Sequence, residues 1–250
     1  MSSKETVLIT GCSDGGIGSE LAIVLQQSGS HVFATARDPS KMSNLSGLSN
    51  VTLLTLDVVK SADIKAAAEA VSKETSRTLN YLTNNAGRSH FMHILDEDLD
   101  TVRNFFEINF LGPVALTQAF APLLIKAKGM AVYVTSISGY LNIPYMGTYS
   151  ASKRSLEIVA ETLRLELAPF GVDVLELPQQ SLHKSVEDIV AVRAQGNEGM
   201  PRMETREYAA AVVDAIKKRT TGRFWCGNNA DQIKMSTTAT RCWGSNKHWA

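Results

Sequence analysis

A tyrosine and a lysine on one predicted helix face are the side chains in this sequence best placed to move protons. Tyr149 and Lys153 lie four positions apart in the segment YSASK, at the start of a predicted helix, and side chains at that spacing share a helix face. A free tyrosine has a pKa of about 10, but a neighbouring ammonium stabilises its phenolate form. The pair is therefore a candidate acid–base centre, although Tyr-x-x-x-Lys also occurs by chance on helix surfaces.

Further polar side chains follow predicted strands or lie close to them. Ser136 ends a predicted strand thirteen residues before Tyr149, and Ser138 is its rival for the same role. Asn85 follows the preceding strand, and Asn109 lies in the long helix after that strand. Because ligands of open parallel sheets bind at the carboxyl ends of the strands, we expect these side chains to share one crevice.

A glycine-rich turn joins the first predicted strand to the first predicted helix. The strand TVLIT runs directly into GCSDGGIG at residues 11–18. Glycines let the backbone approach a pyrophosphate, and the helix N-terminus offers free N–H groups and a positive dipole end. A tight strand-to-helix turn also needs glycine for its own geometry, so the turn alone is weak evidence. The residues predicted to bind a dinucleotide here are Thr10, Gly11, Ser13, Gly16, Ile17 and Gly18.

The end of the second predicted strand bears on which dinucleotide is bound. An acidic residue there favours NAD through the ribose 2′-hydroxyl, whereas a cation favours the 2′-phosphate of NADP. This strand ends at Arg37, with Lys41 four residues on, and an arginine can bind a phosphate with two hydrogen bonds. The sequence thus predicts NADP(H), against the alternatives of a merely solvated Arg37 and an opposing influence of Asp38.

Short β-branched segments alternate with longer amphipathic ones, which predicts βαβ units. Such units build a doubly wound α/β parallel sheet with helices on both faces. Strands are predicted at Thr6–Thr10, His31–Ala36, Val51–Asp57, Leu79–Thr83, Ala131–Thr135, Val172–Leu177 and Arg223–Cys226. Helices are predicted at Ile17–Gln27, Ala62–Ser76, Leu99–Ile125 with a kink or break at Pro113, Gly147–Leu167, Val186–Ala194 and Glu204–Lys218. We expect one domain over residues 1–227 and a polar C-terminal tail over residues 228–250.

Composition excludes several classes of function. The 250 residues include 25 Lys and Arg against 25 Asp and Glu, and this zero net charge argues against a nucleic-acid partner. Three cysteines imply no disulfide framework, and His90 and His93 lack further ligands at metal-site spacing. No secretory signal begins the chain, and the uncharged stretch 129–152 is too polar to span a membrane. We therefore expect a cytoplasmic protein that acts on a small molecule and binds no metal.

The motifs taken together resemble the short-chain dehydrogenase/reductase family. TGCSDGGIG, LDV, NNAG, NFLG, the serine of VTSISG and YSASK occur in the family's order and spacing over about residues 5–177. The glycine turn has one residue more than the commonest family version. With Arg37, the sequence resembles the branch of 17β-hydroxysteroid dehydrogenases, 1-acyldihydroxyacetone-phosphate reductases and fungal metabolite-pathway reductases. The resemblance implies a single Rossmann-type domain, carbonyl reduction or alcohol oxidation, and a homodimer or homotetramer.

The resemblance also implies a role for each matching residue. Tyr149 would be the general acid in reduction and the base in oxidation, with Lys153 adjusting its pKa and holding the nicotinamide ribose. Ser136 would hydrogen-bond the substrate oxygen, and Asn109 would hold a water in a proton relay. Asp57 would contact the adenine, and Asn85 would line the cofactor cleft.

The sequence departs from the family pattern after the sixth predicted strand. Family members usually have a Pro-Gly turn and a threonine there, which hold the nicotinamide carboxamide, and then a substrate loop. Here the chain reads LPQQSLH after Glu176, and the comparison with the family pattern implies that about twenty residues are absent from the region beyond Leu177. The first hypothesis is therefore an NADP(H)-dependent reductase of a small apolar ketone or aldehyde. The second is an NADP(H)-binding protein with little redox activity.

Overall fold

Seven parallel strands form one sheet, which the computed structural model shows at the centre of the molecule. The model describes residues 4–140, 144–179, 203–227 and residue 234. The strands are β1 (Thr6–Thr10), β2 (His31–Ala36), β3 (Val51–Thr55), β4 (Tyr81–Asn84), β5 (Met130–Ser136), β6 (Asp173–Gln179) and β7 (Gly222–Arg223). Their order across the sheet is β3-β2-β1-β4-β5-β6-β7, and every neighbouring pair is parallel.

The strand order reverses between β1 and β4, at the middle of the sheet. From β1 the chain builds outward to β3 and then returns to place β4 on the other side of β1. The loops after β1 and β4 therefore diverge and leave a crevice at the carboxyl ends of these strands. The glycine turn follows β1 and Asn85 follows β4, so both lie at this crevice.

Helices cover both faces of the sheet and bury two apolar layers. They are α1 (Ile17–Gln27), α2 (Ser61–Glu74), α3 (Leu99–Phe106), α4 (Gly112–Ala127), α5 (Gly147–Leu167) and α6 (Thr205–Lys217). One layer packs α1 and α6 against side chains such as Val7 and Val132. The other packs α2, α4 and α5 against side chains such as Leu8 and Tyr133. Strands covered on both faces carry near-continuous apolar runs, as these do.

A single π-helical turn, Glu107–Leu111, separates α3 from α4. It ends two residues before Pro113, which has no N–H to donate to the carbonyl of Asn109 four residues earlier. The N–H of Gly112 donates instead to the carbonyl of Glu107, five residues back. The predicted break at Pro113 is thus present as a widened turn, and such turns often occur at functional sites.

By length and composition, the helical stretch Leu99–Ala127 would be able to cross a membrane. Of its most apolar window, 44% is buried inside the fold. Leu116 and Phe120 of this stretch are fully buried in the layer beneath α4. A core helix of a folded protein meets the same criterion of length and composition.

The doubly wound α/β fold is confirmed, and most predicted bounds agree with the structure to within two residues. β1, β2, α1 and α5 have the predicted bounds. The strand predicted at Arg223–Cys226 is wrong in its bounds, since β7 pairs with β6 only through Gly222 and Arg223. The predicted helix Val186–Ala194, most of the shortened region beyond Leu177 and nearly all of the tail 228–250 lie outside the described residues. The boundaries 1–227 and 228–250 therefore remain a proposal.

Candidate active site

The glycine turn after β1 has, at two positions, a backbone conformation that strongly favours glycine. Gly11 and Gly15 both have φ of +74°, in the left-handed region. At Gly18 the limit is space, because a Cβ there would lie 2.5 Å from the Gly11 carbonyl oxygen and 2.6 Å from Asn85 Nδ2. The N-cap of α1, Gly16, provides no side-chain hydrogen bond, which leaves N–H groups of the first turn for a ligand. The turn is thus a cradle suited to a pyrophosphate.

Two side chains brace this cradle from beneath. Asn85 Nδ2 donates to the carbonyls of Thr10 at 2.7 Å and Gly11 at 3.2 Å. The hydroxyl of Thr10 accepts from the N–H groups of Asn85 and Ala86, both at 3.0 Å. Asn85 and Thr10 therefore join the ends of β1 and β4. Both side chains hydrogen-bond the backbone at the turn, whereas the sequence predicted only that Thr10 binds the dinucleotide and that Asn85 lines the cofactor cleft.

The cations predicted to recognise the 2′-phosphate lie on the exposed rim of this cradle. Arg37 and Lys41 are both exposed, and Ser13 is exposed beside them. Asp38 is turned to its own loop, where it accepts from the N–H of Ser40 at 3.0 Å and from its hydroxyl at 2.7 Å. These two hydrogen bonds hold the pKa of Asp38 below its usual value.

Two further carboxylates near the cradle, Asp14 and Asp57, have partners of their own. Asp14 accepts from the hydroxyl and N–H of Ser43 and from the N–H of Asn44, at 2.7, 2.9 and 3.0 Å, and these bonds lower its pKa. Asp57 is half-buried after β3 and accepts from the N–H of Val59 at 3.3 Å. Asp14, Asp38 and Asp57 therefore accept hydrogen bonds from nearby backbone groups. The cations of the rim face solvent.

Ser136 ends β5 and is only 1% exposed. Its Oγ accepts from the N–H of Ser138 at 3.2 Å and from the Ser138 hydroxyl at 2.9 Å. Ser138 thus acts as the donor that orients Ser136, which favours Ser136 as the residue that meets a substrate. Behind this turn, a Cβ on Gly139 would lie 3.1 Å from the N of Arg154, so the turn packs directly on α5 beside Lys153.

Lys153 is 5% exposed, and its Nζ donates to the carbonyl of Val134 in β5 at 2.9 Å. Burial disfavours the ammonium and lowers the pKa of Lys153 from 10.5 to about 8. At pH 7 the side chain therefore still carries its proton in most molecules. Tyr149, one turn earlier on the same helix, is 9% exposed and meets the edge of the Phe105 ring at a centroid distance of 6.3 Å.

Asn109 connects the helix α5 with the loop after β4. Its Oδ1 accepts from the N–H of Arg88 at 2.9 Å, and its Nδ2 donates to the Arg88 carbonyl at 2.9 Å and to Ser152 Oγ at 3.2 Å. A Cβ on Gly87 would lie 3.3 Å from both Asn109 Oδ1 and Lys153 Nζ. Gly87 thus allows these two polar groups to approach the same point. The π turn places the Asn109 side chain there.

A buried cluster of charges lies behind the serine turn, and the sequence reading had not identified it. Glu176 of β6 accepts from the hydroxyls of Tyr140 and Thr135 at 2.7 and 2.8 Å. Arg223 donates to Glu176 at 3.1 Å and to Glu157 of α5 at 2.5 Å. Burial raises the pKa of Glu176. The cluster ties the residues after Ser136 to two neighbouring strands, and its only signal in the sequence is a glutamate inside an apolar strand.

Three other residues of reactive type, Cys12, His90 and His93, show no sign of nucleophilic or metal chemistry in the described part of the chain. Cys12 is fully buried and donates to the carbonyl of Ile9 at 3.3 Å, and burial raises the pKa of its thiol to about 12. It is a packing residue rather than a nucleophile. His90 and His93 belong to no group of three or more possible metal ligands within the part of the chain that the structure describes.

Known proteins are similar to this chain in both sequence and fold. Residues 5–178 match the family model described as short chain dehydrogenase. Short-chain dehydrogenase PC-15 of Penicillium crustosum is 44% identical over 243 residues, covering 91% of this chain and 90% of the relative. The NADPH-dependent 1-acyldihydroxyacetone phosphate reductase of Schizosaccharomyces pombe is 40% identical over 177 residues, 71% of this chain and 60% of that protein.

The solved structures agree with the sequence matches. A short-chain dehydrogenase from Burkholderia cenocepacia, crystallised in complex with NADP, superposes with a TM-score of 0.80 at 25% identity, covering 96% of this chain and 95% of the other. The sequence thus matches one family over most of its length. The same chain contains the crevice, the glycine cradle and the residues Ser136, Tyr149 and Lys153. The chain belongs to the short-chain dehydrogenase/reductase family and is an oxidoreductase that uses a nicotinamide cofactor.

Proposed function

We propose that this protein reduces the carbonyl of a small apolar ketone or aldehyde with NADPH, or catalyses the reverse oxidation. One observation carries the proposal: the structure places Ser136 at the end of β5 and Tyr149 and Lys153 on the first turns of α5, and joins these elements through Lys153 and Val134. This edge of the sheet is also the edge at which the glycine cradle opens. A proton donor, a hydroxyl for the substrate oxygen and a dinucleotide cradle thus adjoin one crevice.

The residues present fit a dinucleotide. A Cβ at Gly15 would meet nothing within 4 Å, so the turn is open above this residue, while Gly18 and Gly11 close it below. The exposed Arg37, Lys41 and Ser13 would hold the 2′-phosphate, since Asp38 is turned to Ser40. The NADPH-dependent yeast relative and the NADP complex of the bacterial structure support the choice of NADP(H).

The chain's own residues divide the chemistry among them. NADPH, when bound, supplies the hydride. Ser136 donates a hydrogen bond to the substrate oxygen and so stabilises the negative charge that develops on it. Tyr149 delivers a proton to that oxygen, and the ammonium of Lys153 favours the phenolate that remains. Asn109 is fixed by two hydrogen bonds between its side-chain amide and the backbone of Arg88. There it would hold the water of a proton relay that returns a proton to Tyr149 through Lys153.

The proposed substrate class rests on the relatives and on the lining of the crevice. The curated relatives include short-chain dehydrogenases from several fungi, which supports a fungal-type metabolite pathway. Tyr149 packs with Phe105, Met146 and the half-buried Phe91, an apolar wall that suits an apolar carbonyl compound. The lipid-precursor reductase of yeast supports acyldihydroxyacetone phosphate as a second candidate substrate, and a steroid ketone as a third is supported by the resemblance alone.

We also propose a cytoplasmic homodimer or homotetramer. The two cysteines in the described part of the chain are unpaired, which suits a reducing compartment. The outer face of α5 exposes Ile158 and Leu165 at 54% and 65%, apolar area that a second copy would cover. Sedimentation velocity tests the assembly: a single species at the monomer mass over the micromolar range would contradict it.

The proposed function is tested by measuring the consumption of NADPH with each member of a panel of ketones and aldehydes that includes acyldihydroxyacetone phosphate. We expect turnover with at least one apolar carbonyl compound, and a loss of about 100- to 1,000-fold in kcat in Ser136→Ala as the hydrogen bond to the developing oxyanion is removed. NADPH binding, measured by its fluorescence, should persist in that variant. Tight NADPH binding without turnover on any compound would favour the alternative of a binding protein with little redox activity.

Cofactor choice has its own test at Arg37. We expect Arg37→Asp to weaken NADPH by about 10- to 100-fold, since one or two charge-assisted hydrogen bonds are lost and a like charge is introduced. NADH affinity should change by no more than about threefold. Equal weakening of both cofactors would contradict the contact with the 2′-phosphate.

A further inference from the structure

The helix α5 begins without the groups that usually stabilise a helix N-terminus. Its N-cap is Met146, which makes no side-chain cap, and its first turn contains no acidic residue. A helix N-terminus with neither a cap nor a negative charge leaves N–H groups and a positive dipole end without compensation. Tyr149 lies in this first turn, so its position depends on how well the turn is held.

A glutamate from another element lies at this N-terminus. Glu97, in the loop between β4 and α3, accepts a hydrogen bond from the hydroxyl of Thr148 at 2.6 Å. Its other carboxylate oxygen is 2.7 Å from His90 Nε2. The Glu97 side chain is only 5% exposed. Burial opposes ionisation, but the hydrogen bonds from Thr148 and His90 prevail and hold the pKa of Glu97 below its usual value. A carboxylate is therefore present beside the first turn of α5.

The loop that carries Glu97 is fixed to the segment before Tyr149 at several points. The N–H of Met92 donates to the carbonyl of Tyr145 at 2.9 Å. The rings of His93 and Tyr145 meet edge to face at 4.4 Å. A Cβ on Gly147 would lie 2.5 Å from Cδ1 of Ile94, so this isoleucine packs on the first residue of α5. The loop is thus packed against the start of α5 at three points.

A second contact runs from the same pair to the phenol ring. The His90 ring lies 5.5 Å from the ring of Phe105, and Phe105 meets Tyr149 at 6.3 Å. The carboxylate of Glu97 holds His90 at one oxygen and Thr148 at the other. It can therefore constrain Tyr149 through the backbone of the helix turn and through the aromatic wall beside the ring.

We propose that Glu97, together with His90 and Thr148, is a positioning residue for Tyr149, an inference that rests on the proposed function. Glu97 supplies from the β4–α3 loop the negative charge that the first turn of α5 lacks, and it anchors Thr148 next to Tyr149. Removing the charge loosens the first turn and misplaces the phenol. Misplacement of a reacting group by about 1 Å can cost about 100-fold in rate. The cradle for the cofactor phosphates is on other elements and should be unaffected.

The experiment compares Glu97→Gln and Thr148→Val with two controls. Thr148→Ser keeps the hydroxyl that bonds Glu97. Asp98→Asn alters the neighbouring acid, which caps α3 through Thr101 and makes no hydrogen bond to α5. We expect kcat to fall by about 10- to 100-fold in the first two variants, with the NADPH Kd within twofold of wild type. Both controls should retain kcat within about twofold.

Hydrogen–deuterium exchange provides a readout that does not depend on turnover. We expect faster exchange in the peptide covering residues 145–153 in Glu97→Gln and Thr148→Val, but not in Thr148→Ser or Asp98→Asn. Unchanged exchange and unchanged kcat in both test variants would overturn the inference, as would equal losses in the Asp98→Asn control. If the wild type reduces no carbonyl compound, the proposed function fails, and the exchange pattern alone still decides whether Glu97 holds the turn.

Discussion

Replacing Lys153 by methionine should stabilise the free protein at neutral pH, and this gain should fade as the pH rises. Burial lowers the pKa of Lys153 from 10.5 to about 8, so the folded state holds the lysine proton less tightly than the unfolded chain. A pKa lowered by this amount corresponds to a destabilisation of about 3 kcal/mol at pH 7. The unfolded state binds more protons between pH 8 and 10.5, so stability should rise with pH over that window.

Methionine has a similar length and no charge, but it cannot donate to the carbonyl of Val134, which accepts from Lys153 at 2.9 Å. Loss of that hydrogen bond costs about 1 kcal/mol. The net gain of Lys153→Met is therefore about 2 kcal/mol at pH 7. At pH 9.5 the lysine penalty has fallen to about 1 kcal/mol, so the variant and the wild type should be nearly equal in stability.

Urea unfolding of both proteins without cofactor at pH 7, 8 and 9.5 measures this difference. Subtracting the variant from the wild type cancels the other groups that titrate in the same range. Lys65→Met serves as a control, because the Lys65 side chain is 77% exposed and its substitution should show no such pH dependence. A difference between Lys153→Met and wild type that stays constant from pH 7 to 9.5 would refute the assigned cost of burying the ammonium.

Two further substitutions test the cradle and the buried charges. Gly18→Ala should weaken NADPH binding by at least about tenfold, because a Cβ would lie 2.5 Å from the Gly11 carbonyl oxygen and force the turn to shift; fluorescence titration measures this, and an unchanged Kd would contradict it. Arg223→Met should lower the free energy of unfolding by about 3 kcal/mol, because it leaves the buried Glu176 without the guanidinium that binds it, whereas Glu157 keeps Arg154. Arg103→Met, which breaks an exposed ion pair, should cost less than about 1 kcal/mol in the same denaturant assay.

The sheet and its helices could be predicted largely because local patterns and tertiary burial agree. The apolar run of β1 and the glycine after it fix both ends of that strand. The period of apolar residues in α5 likewise gives the bounds Gly147–Leu167. β5 and β6 extend one or two residues beyond the predicted ends, since Ser136 and Gln179 pair across the ladder despite being polar. Strand ends in a parallel sheet are set by pairing with neighbours, which the sequence of one strand does not contain.

The site was only partly predictable for a related reason. The spacing of Tyr149 and Lys153 placed them on one face, and the resemblance to the family supplied the roles of Ser136 and Asn109. Glu97 and Thr148 are 51 residues apart, and no local pattern links them. Pro113 predicted a break in the long helix, but not the π turn that positions Asn109. Contacts across elements appear only once the chain is folded, so their energetic coupling has no signature in a single sequence.

The most direct test of the central claim is single-turnover oxidation of NADPH by Tyr149→Phe with the best carbonyl substrate at saturating cofactor. Phenylalanine keeps the ring that packs against Phe105 and removes only the acidic hydroxyl. We expect the NADPH Kd to stay within about twofold of wild type and the rate of NADPH oxidation to fall by about 100-fold or more. A Tyr149→Phe protein that oxidises NADPH at a rate close to that of the wild type would contradict proton delivery by this phenol.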